Sequence, residues 1–128
     1  MLCSASPWAE VVVIGHPGIG ADSLTSKQVA KLWLGKSKRI PGGGKVKVVD
    51  QKPGSAARDE FNKKVLKKSD SQLKSYWAKV VFTGKGVPPK ALPDDKAVKE
   101  WVMSTPDGLG YVDSGSVDDK VKVLLRLP

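Results

Sequence analysis

The segment with the clearest chemical potential runs from Asp50 to Arg58 and reads Asp-Gln-Lys-Pro-Gly-Ser-Ala-Ala-Arg. It follows a predicted strand and passes through a tight Pro-Gly turn into a predicted helix. The free amides and the dipole of a helix start favour an anion, so the segment predicts a site for a phosphate or sulfate oxygen. The residues placed to hold such an anion are Ser55, Ala56, Ala57 and Arg58, with Lys52 as a further source of positive charge.

An alternative explains the same segment without a ligand. Ser is a preferred N-cap residue, so Ser55 can simply accept a hydrogen bond from its own helix. The residues by themselves leave both interpretations open.

Catalytic and metal-binding groups are few. The single histidine, His16, stands before a proline at the end of a predicted strand and has no second His or Cys to complete a metal site, so a local hydrogen bond in its loop is expected. The carboxylates come as neighbours in sequence, which do not converge on one substrate. The Gly-rich stretches 15–20 and 42–44 match neither the dinucleotide-binding nor the P-loop pattern. We therefore predict a non-enzymatic protein without a metal or cofactor.

Apolar periodicity and capping signals predict the elements around this segment. Strands are predicted over residues 10–16, 46–50, 109–112 and 121–127, and helices open at Thr25, Ser55, Ser69 and Asp94 or Asp95. This order predicts an α/β fold, a three-layer sandwich in which about four helices flank a small mixed sheet. Ligands of such sheets lie beyond the carboxyl ends of the strands, so the loops after His16, Asp50 and Val112 are the expected site.

Two details of these elements are specific enough to check. Thr25 with Gln28, and Ser69 with Gln72, have the spacing of capping boxes. The helix that starts at Ser69 carries apolar residues at i, i+3, i+4, i+7 and i+8, which predicts one buried face. That face consists of Leu73, Tyr76, Trp77, Val80 and Val81. The connector from Lys85 to Pro93 is predicted to be irregular.

Size and charge restrict the class of protein. The 128 residues are enough for one domain with its own core. The net charge is +9, but only three of the 22 basic residues are arginine and the lysines are dispersed, which is typical of solvated helix surfaces. No basic-aromatic stacking motif accompanies them, so nucleic acid is not an expected partner. No apolar run is long enough to predict a membrane span.

The first nine residues, Met-Leu-Cys-Ser-Ala-Ser-Pro-Trp-Ala, are small and apolar and precede a charged residue. They resemble the tail of a secretory signal peptide, although a basic start and a full apolar stretch are absent. We therefore predict an exported, periplasmic protein, with residues 1–9 as a signal remnant or disordered tail and residues 10–128 as the folded domain.

Three stretches taken together resemble the phosphate ABC transporter substrate-binding protein family, the periplasmic type II binding proteins. They are LTSKQVAKLWLGKSKRIPGGGKVKVVDQKPGSAARDEF, LKSYWAKVVFTGKGVPPK and GLGYVD. The resemblance runs from about Glu10 to Leu125. It implies one lobe of a fold that normally has two lobes closing on phosphate, and it implies export to the periplasm.

Two departures from the family affect the expected function: the chain resembles the second lobe alone, and the residues at the helix start differ. Phosphate-binding members carry Ser-Gly-Thr at the helix start, with an Arg a few residues earlier, whereas this chain has Ser55-Ala56-Ala57 after Asp50 and Gln51. An unpaired Asp50 would repel phosphate at short range. Weak binding of phosphate or sulfate is therefore one expected function, and the other is a ligand-free module that docks a protein partner or a second copy of itself.

Overall fold

The structure, a computed structural model, describes residues 10–42 and 44–127. Five strands form one sheet in the spatial order β3-β2-β4-β1-β5. Their bounds are Val11–Gly15 for β1, Lys47–Gln51 for β2, Lys90–Leu92 for β3, Gly108–Asp113 for β4 and Lys122–Arg126 for β5. Strand β2 is parallel to β3 and β4, whereas β1 is antiparallel to β4 and β5. The sheet is therefore mixed, as predicted.

Four α-helices cover the two faces of this sheet. Their bounds are Ser26–Trp33 for α1, Ala56–Phe61 for α2, Asp70–Phe82 for α3 and Asp95–Ser104 for α4. Helix α2 continues into one π-helical turn, Asn62–Leu66, which the sequence did not predict. Helices α1, α2 and α3 contribute to the core on one face of the sheet, and α4 packs on the other face. The predicted three-layer α/β sandwich is confirmed.

Strand β1 shows why the sheet has two cores. Successive side chains of a strand point to opposite faces, so Val11 and Val13 face α1 and α2 while Val12 and Ile14 face α4. All five residues of β1 are buried, which explains the unbroken apolar run in the sequence.

Local signals in the sequence locate the helix ends well. Thr25 and Ser69 are N-caps with complete capping boxes, as their spacing predicted. Gly35 and Gly84 follow α1 and α3 with φ of +74° and +72°, the left-handed region that glycine enters without steric penalty.

Two expectations about elements were wrong. The connector from Lys85 to Pro93 contains strand β3, which lies at the edge of the sheet beside β2. The predicted apolar face of α3 buries only Leu73, while Tyr76, Trp77 and Val80 are half-buried and Val81 is 49% exposed. Periodicity identified which side of α3 is apolar, but none of the elements in residues 10–42 and 44–127 covers the second half of that side.

Candidate functional site

A groove of about 660 Å³ lies where the carboxyl ends of β2, β3 and β4 meet. Its walls come from residues 51–57 after β2, residues 93–96 after β3, and Asp113 with Ser116 after β4. The three strands are parallel to one another, so their following loops project from the same edge of the sheet. We take this groove as the candidate site.

The loop after β1 does not join the groove, which corrects the expectation that it would. Because β1 is antiparallel to β4, Gly15 pairs with Leu109 near the start of β4, at the opposite edge. The loop histidine there makes the local hydrogen bond that was expected, since the amide of Gly18 donates to His16 Nδ1 at 2.9 Å.

Three of the four predicted anion-binding residues, Ser55, Ala56 and Ala57, line the groove. The side chain of Arg58 turns to a different surface. Its Nη1 donates to the carbonyl oxygen of Gln51 at 2.7 Å, and its Nε donates to Asp70 at 3.2 Å. The guanidinium therefore binds the end of β2 and does not line the groove.

The hydroxyl of Ser55 is already engaged within the protein. Its Oγ accepts from the amide of Arg58 at 3.1 Å, as an N-cap does, and donates to Gln51 Oε1 at 2.7 Å. A hydroxyl has one proton to donate, so this rotamer offers none to a ligand. The amides of Ala56 and Ala57 lie in the first turn of α2 and have no intrahelical acceptor, which leaves them as the donors of this helix start.

Gln51 connects the three loops, a role that the sequence did not reveal. Its side chain is buried, and Nε2 donates to Asp95 Oδ1 at 2.6 Å and to the carbonyl oxygen of Tyr111 at 3.0 Å. Asp95 Oδ2 in turn accepts from the amide of Asp113 at 3.2 Å and from Ser116 Oγ at 3.3 Å. The carboxylate of Asp95 thus occupies donors from two loops that an external anion would otherwise use.

Asp50 is buried and has partners within the protein. An unpaired Asp50 was expected to repel phosphate, and this condition is not met. Its carboxylate accepts hydrogen bonds from the hydroxyl of Tyr111 and from the amide of Gln51, and Arg58 Nη1 lies 3.6 Å away. Burial raises the pKa of Asp50 above its ordinary value, while the Tyr111 hydrogen bond and the Arg58 charge oppose that rise. Burial and the neighbouring Asp50 also raise the pKa of Tyr111, so its phenol stays a donor.

The charges that line the groove are mixed. Lys52 and Lys96 supply two positive groups, while Asp94, Asp95 and Asp113 supply three carboxylates. Asp94 caps α4 by accepting from the amide of Ala97 at 2.9 Å. The carboxylates therefore offset the positive charge of the lysines and of the helix starts.

The described residues contain no cluster of three or more His, Cys, Asp or Glu side chains arranged to hold a metal ion. Within residues 10–42 and 44–127, none of the helices has the length and apolar character required to traverse a bilayer.

Comparison with known proteins relates the fold to one group of solved structures. A phosphate ABC transporter substrate-binding protein of Clostridium perfringens, solved with bound phosphate, superposes with a TM-score of 0.73 at 21% identity. The fold matches one lobe of such a protein. An ABC-type phosphate transport receptor of Vibrio cholerae gives 0.72 at 17% identity, and PstS of Borrelia burgdorferi gives 0.68 at 15%. The resemblance seen in the sequence is thereby confirmed for the fold.

The match covers nearly all of this chain but less than half of each solved structure. It spans 91% of this chain in all three cases, and it spans 44%, 45% and 46% of the Clostridium, Vibrio and Borrelia chains, respectively. No protein-family model and no curated protein matches the sequence.

Proposed function

We propose that this chain belongs to a non-enzymatic, exported protein and that it holds phosphate or sulfate weakly in the groove. The observation that carries the proposal is the start of α2, where Ala56 and Ala57, whose amides have no intrahelical acceptor, line the groove together with Lys52. The fold shared with phosphate-binding proteins supports the same class of ligand.

Weak binding follows from the groups around this helix start. The Ser55 proton is donated to Gln51, the Arg58 guanidinium faces Asp70, and Asp94 places a carboxylate in the groove. We therefore expect a dissociation constant in the millimolar range.

Export to the periplasm is part of the proposal and is supported by the signal-like composition of residues 1–9. Expression of the tagged chain followed by separation of periplasmic and cytoplasmic fractions tests this point. Recovery in the cytoplasmic fraction alone contradicts it.

The anion site is tested by titrating ¹⁵N-labelled protein with phosphate and with sulfate at constant ionic strength. The amide signals of Ala56 and Ala57 should shift with saturation. Lys52→Gln should weaken binding and Asp94→Asn should strengthen it, each roughly threefold, because each changes one partly screened charge. Asn is also a good N-cap, so Asp94→Asn preserves the start of α4.

Lys27→Gln is the matched control, because it removes the same charge as Lys52→Gln from the exposed surface of α1. It should leave the affinity unchanged. Absence of any saturable shift at Ala56 and Ala57 in the millimolar range would sink the proposed anion site.

A second candidate function is a ligand-free module whose groove face docks a protein or a second copy of the chain. The observation in its favour is that Gln51, Ser55 and Asp95 already satisfy one another, so the groove is ordered without an anion. Sedimentation equilibrium distinguishes a dimer from a monomer, and groove variants such as Ser116→Arg should dissociate a dimer that uses this face.

A further inference from the structure

Two further grooves, one of which adjoins the candidate site at Pro53, share Trp77 and Pro88 in their walls. One has a volume of about 280 Å³ and runs between the end of α1 and residues 87–90. The other, of about 540 Å³, follows α3 to Pro53. We refer to this pair as the Trp77 grooves. They lie on the side of α3 that the sequence predicted to be buried.

Trp77 packs against Tyr76 and Gly35 on this surface. The hydroxyl of its neighbour Tyr76 donates to the carbonyl oxygen of Leu34 at 2.7 Å, and the two aromatic rings meet edge to face with centroids 5.3 Å apart. Gly35 provides the space for the indole, since a Cβ at that position would lie 3.0 Å from it. A side chain fixed before binding loses little entropy when a partner packs against it.

The apolar surface continues from Trp77 to Val87, which is 77% exposed. The first groove also includes Pro88 and Pro89, and the second includes Leu73. A contiguous apolar surface with a polar rim is typical of a protein-interaction site.

The rim of the Trp77 grooves is basic. Its lysines are Lys38, Lys47, Lys74 and Lys90. Among the residues that the structure describes, none of these four lysines forms an ion pair with a carboxylate. The carboxylate lining these grooves in the described part of the chain is Asp70, and it is engaged by Arg58 and by Asn62 Nδ2 at 2.9 Å.

We propose that the Trp77 grooves dock an acidic segment of another protein, with apolar side chains against Trp77 and Val87 and carboxylates beside the rim lysines. Charge complementarity selects this occupant. A second copy of the chain would set lysine against lysine, and the chain carries +9. Residues 1–9 contain no Asp or Glu, so they lack the complementary charge as well.

Two synthetic peptides with the same leucine and tryptophan positions, one with glutamate and the other with lysine between them, provide the probe. We expect the glutamate peptide to shift the Trp77 indole and the Val87 and Lys90 amides of the ¹⁵N-labelled chain with saturation. Its affinity should fall as salt is added, because exposed charges are screened. The lysine peptide should produce no shift.

Charge-reversal variants locate the binding on the molecule. Lys47→Glu combined with Lys90→Glu should lower the affinity for the glutamate peptide at least about tenfold, because two attractive charge pairs become repulsive. Val87→Ser should weaken it severalfold while the thermal melting temperature stays unchanged, since Val87 is exposed. Lys27→Glu with Lys120→Glu makes the same total charge change away from the grooves and should have little effect.

Each of four results overturns the proposal. If the control variant Lys27→Glu/Lys120→Glu loses as much affinity for the peptide as Lys47→Glu/Lys90→Glu does, the binding is non-specific charge attraction. If Lys47→Glu/Lys90→Glu binds the peptide with unchanged affinity, the peptide does not bind in these grooves. Sedimentation that shows a dimer disrupted by Val87→Ser makes a second copy the occupant. Nuclear Overhauser contacts between Trp8 and Trp77 make residues 1–9 the occupant.

Discussion

Replacing Arg58 with methionine should lower the free energy of unfolding by about 3 kcal/mol at neutral pH. Arg58 Nη1 is the positive group beside the buried Asp50 carboxylate and also donates to the Gln51 carbonyl oxygen. Methionine retains much of the apolar stem but supplies neither the charge nor the hydrogen bond. The variant therefore leaves the buried Asp50 carboxylate with its hydrogen bonds but without its counter-charge, and removing one partner of a buried ion pair is among the larger single-residue penalties in proteins.

The loss of unfolding free energy in Arg58→Met should increase as the pH rises. The pKa of Asp50 is raised in the folded state, so this group contributes stability that is present below its unfolded value of 3.8 and is lost as pH rises through the folded pKa. Removing Arg58 raises the folded pKa of Asp50 further. The difference between Arg58→Met and the unaltered chain should thus be smallest below the ordinary carboxyl range and grow toward neutral pH.

Urea denaturation followed by tryptophan fluorescence at acidic and neutral pH measures both effects. Arg126→Met is the matched control, because Arg126 pairs with Glu10 at 2.8 Å on the exposed surface, where such a pair contributes no more than about 1 kcal/mol. The double variant Asp50→Asn/Arg58→Met should be more stable than Arg58→Met alone. The buried-pair explanation is contradicted if Arg58→Met lowers the free energy of unfolding no more than Arg126→Met does. It is also contradicted if the effect of Arg58→Met does not change with pH.

The helix boundaries could be predicted from the sequence because they depend on neighbours in the chain. Thr25 and Gln28 are three residues apart, and their two hydrogen bonds require only that local spacing. Ser69 and Gln72 repeat the same geometry at α3. The pattern of β1 was equally local, because an apolar β-branched run between Glu10 and His16 favours a buried strand wherever it lies.

Features that depend on distant residues could not be predicted in the same way. Strand β3 is a short Lys-Ala-Leu segment without a strand pattern, and it exists because β2 presents a free edge to it. The half-covered side of α3 looked like a buried face, because periodicity reports apolar residues and not the element that packs against them. Each missed feature required knowledge of the tertiary arrangement.

In the candidate site, too, the local features could be predicted and the features that depend on distant residues could not. Ser55 could be placed at a helix start from the Pro-Gly turn before it, and the structure puts it there as the N-cap of α2. The partners of Gln51 lie 44 and 60 residues away in the sequence. The carboxylates that line the groove, Asp94, Asp95 and Asp113, also lie far from Ser55 in the sequence. The segment around Ser55 therefore predicted a more positive site than the one that forms.

Gly110→Ala should destabilise the protein by about 3 kcal/mol through overpacking between β4 and α4. A Cβ at position 110 would clash with Val98 Cγ1, and it would lie 3.4 Å from the methyl groups of Val102 and Val49. Val98 is completely buried and β-branched, so its side chain has no free rotamer into which it can withdraw. Helix α4 must shift away from the sheet, which loosens the core on that face.

A double-mutant cycle separates this clash from the general effect of replacing glycine. Val98→Ala alone should destabilise by opening a small cavity, and Gly110→Ala should partly fill that cavity in the double variant. The double variant should therefore lose less stability than the two single losses added together. Gly44→Ala is the control, because no atom of the described residues lies within 4 Å of the position its Cβ would take, so its free energy of unfolding should be nearly unchanged. Strictly additive losses in the Gly110 and Val98 cycle would contradict close packing of α4 on β4, because the two side chains then could not be in contact.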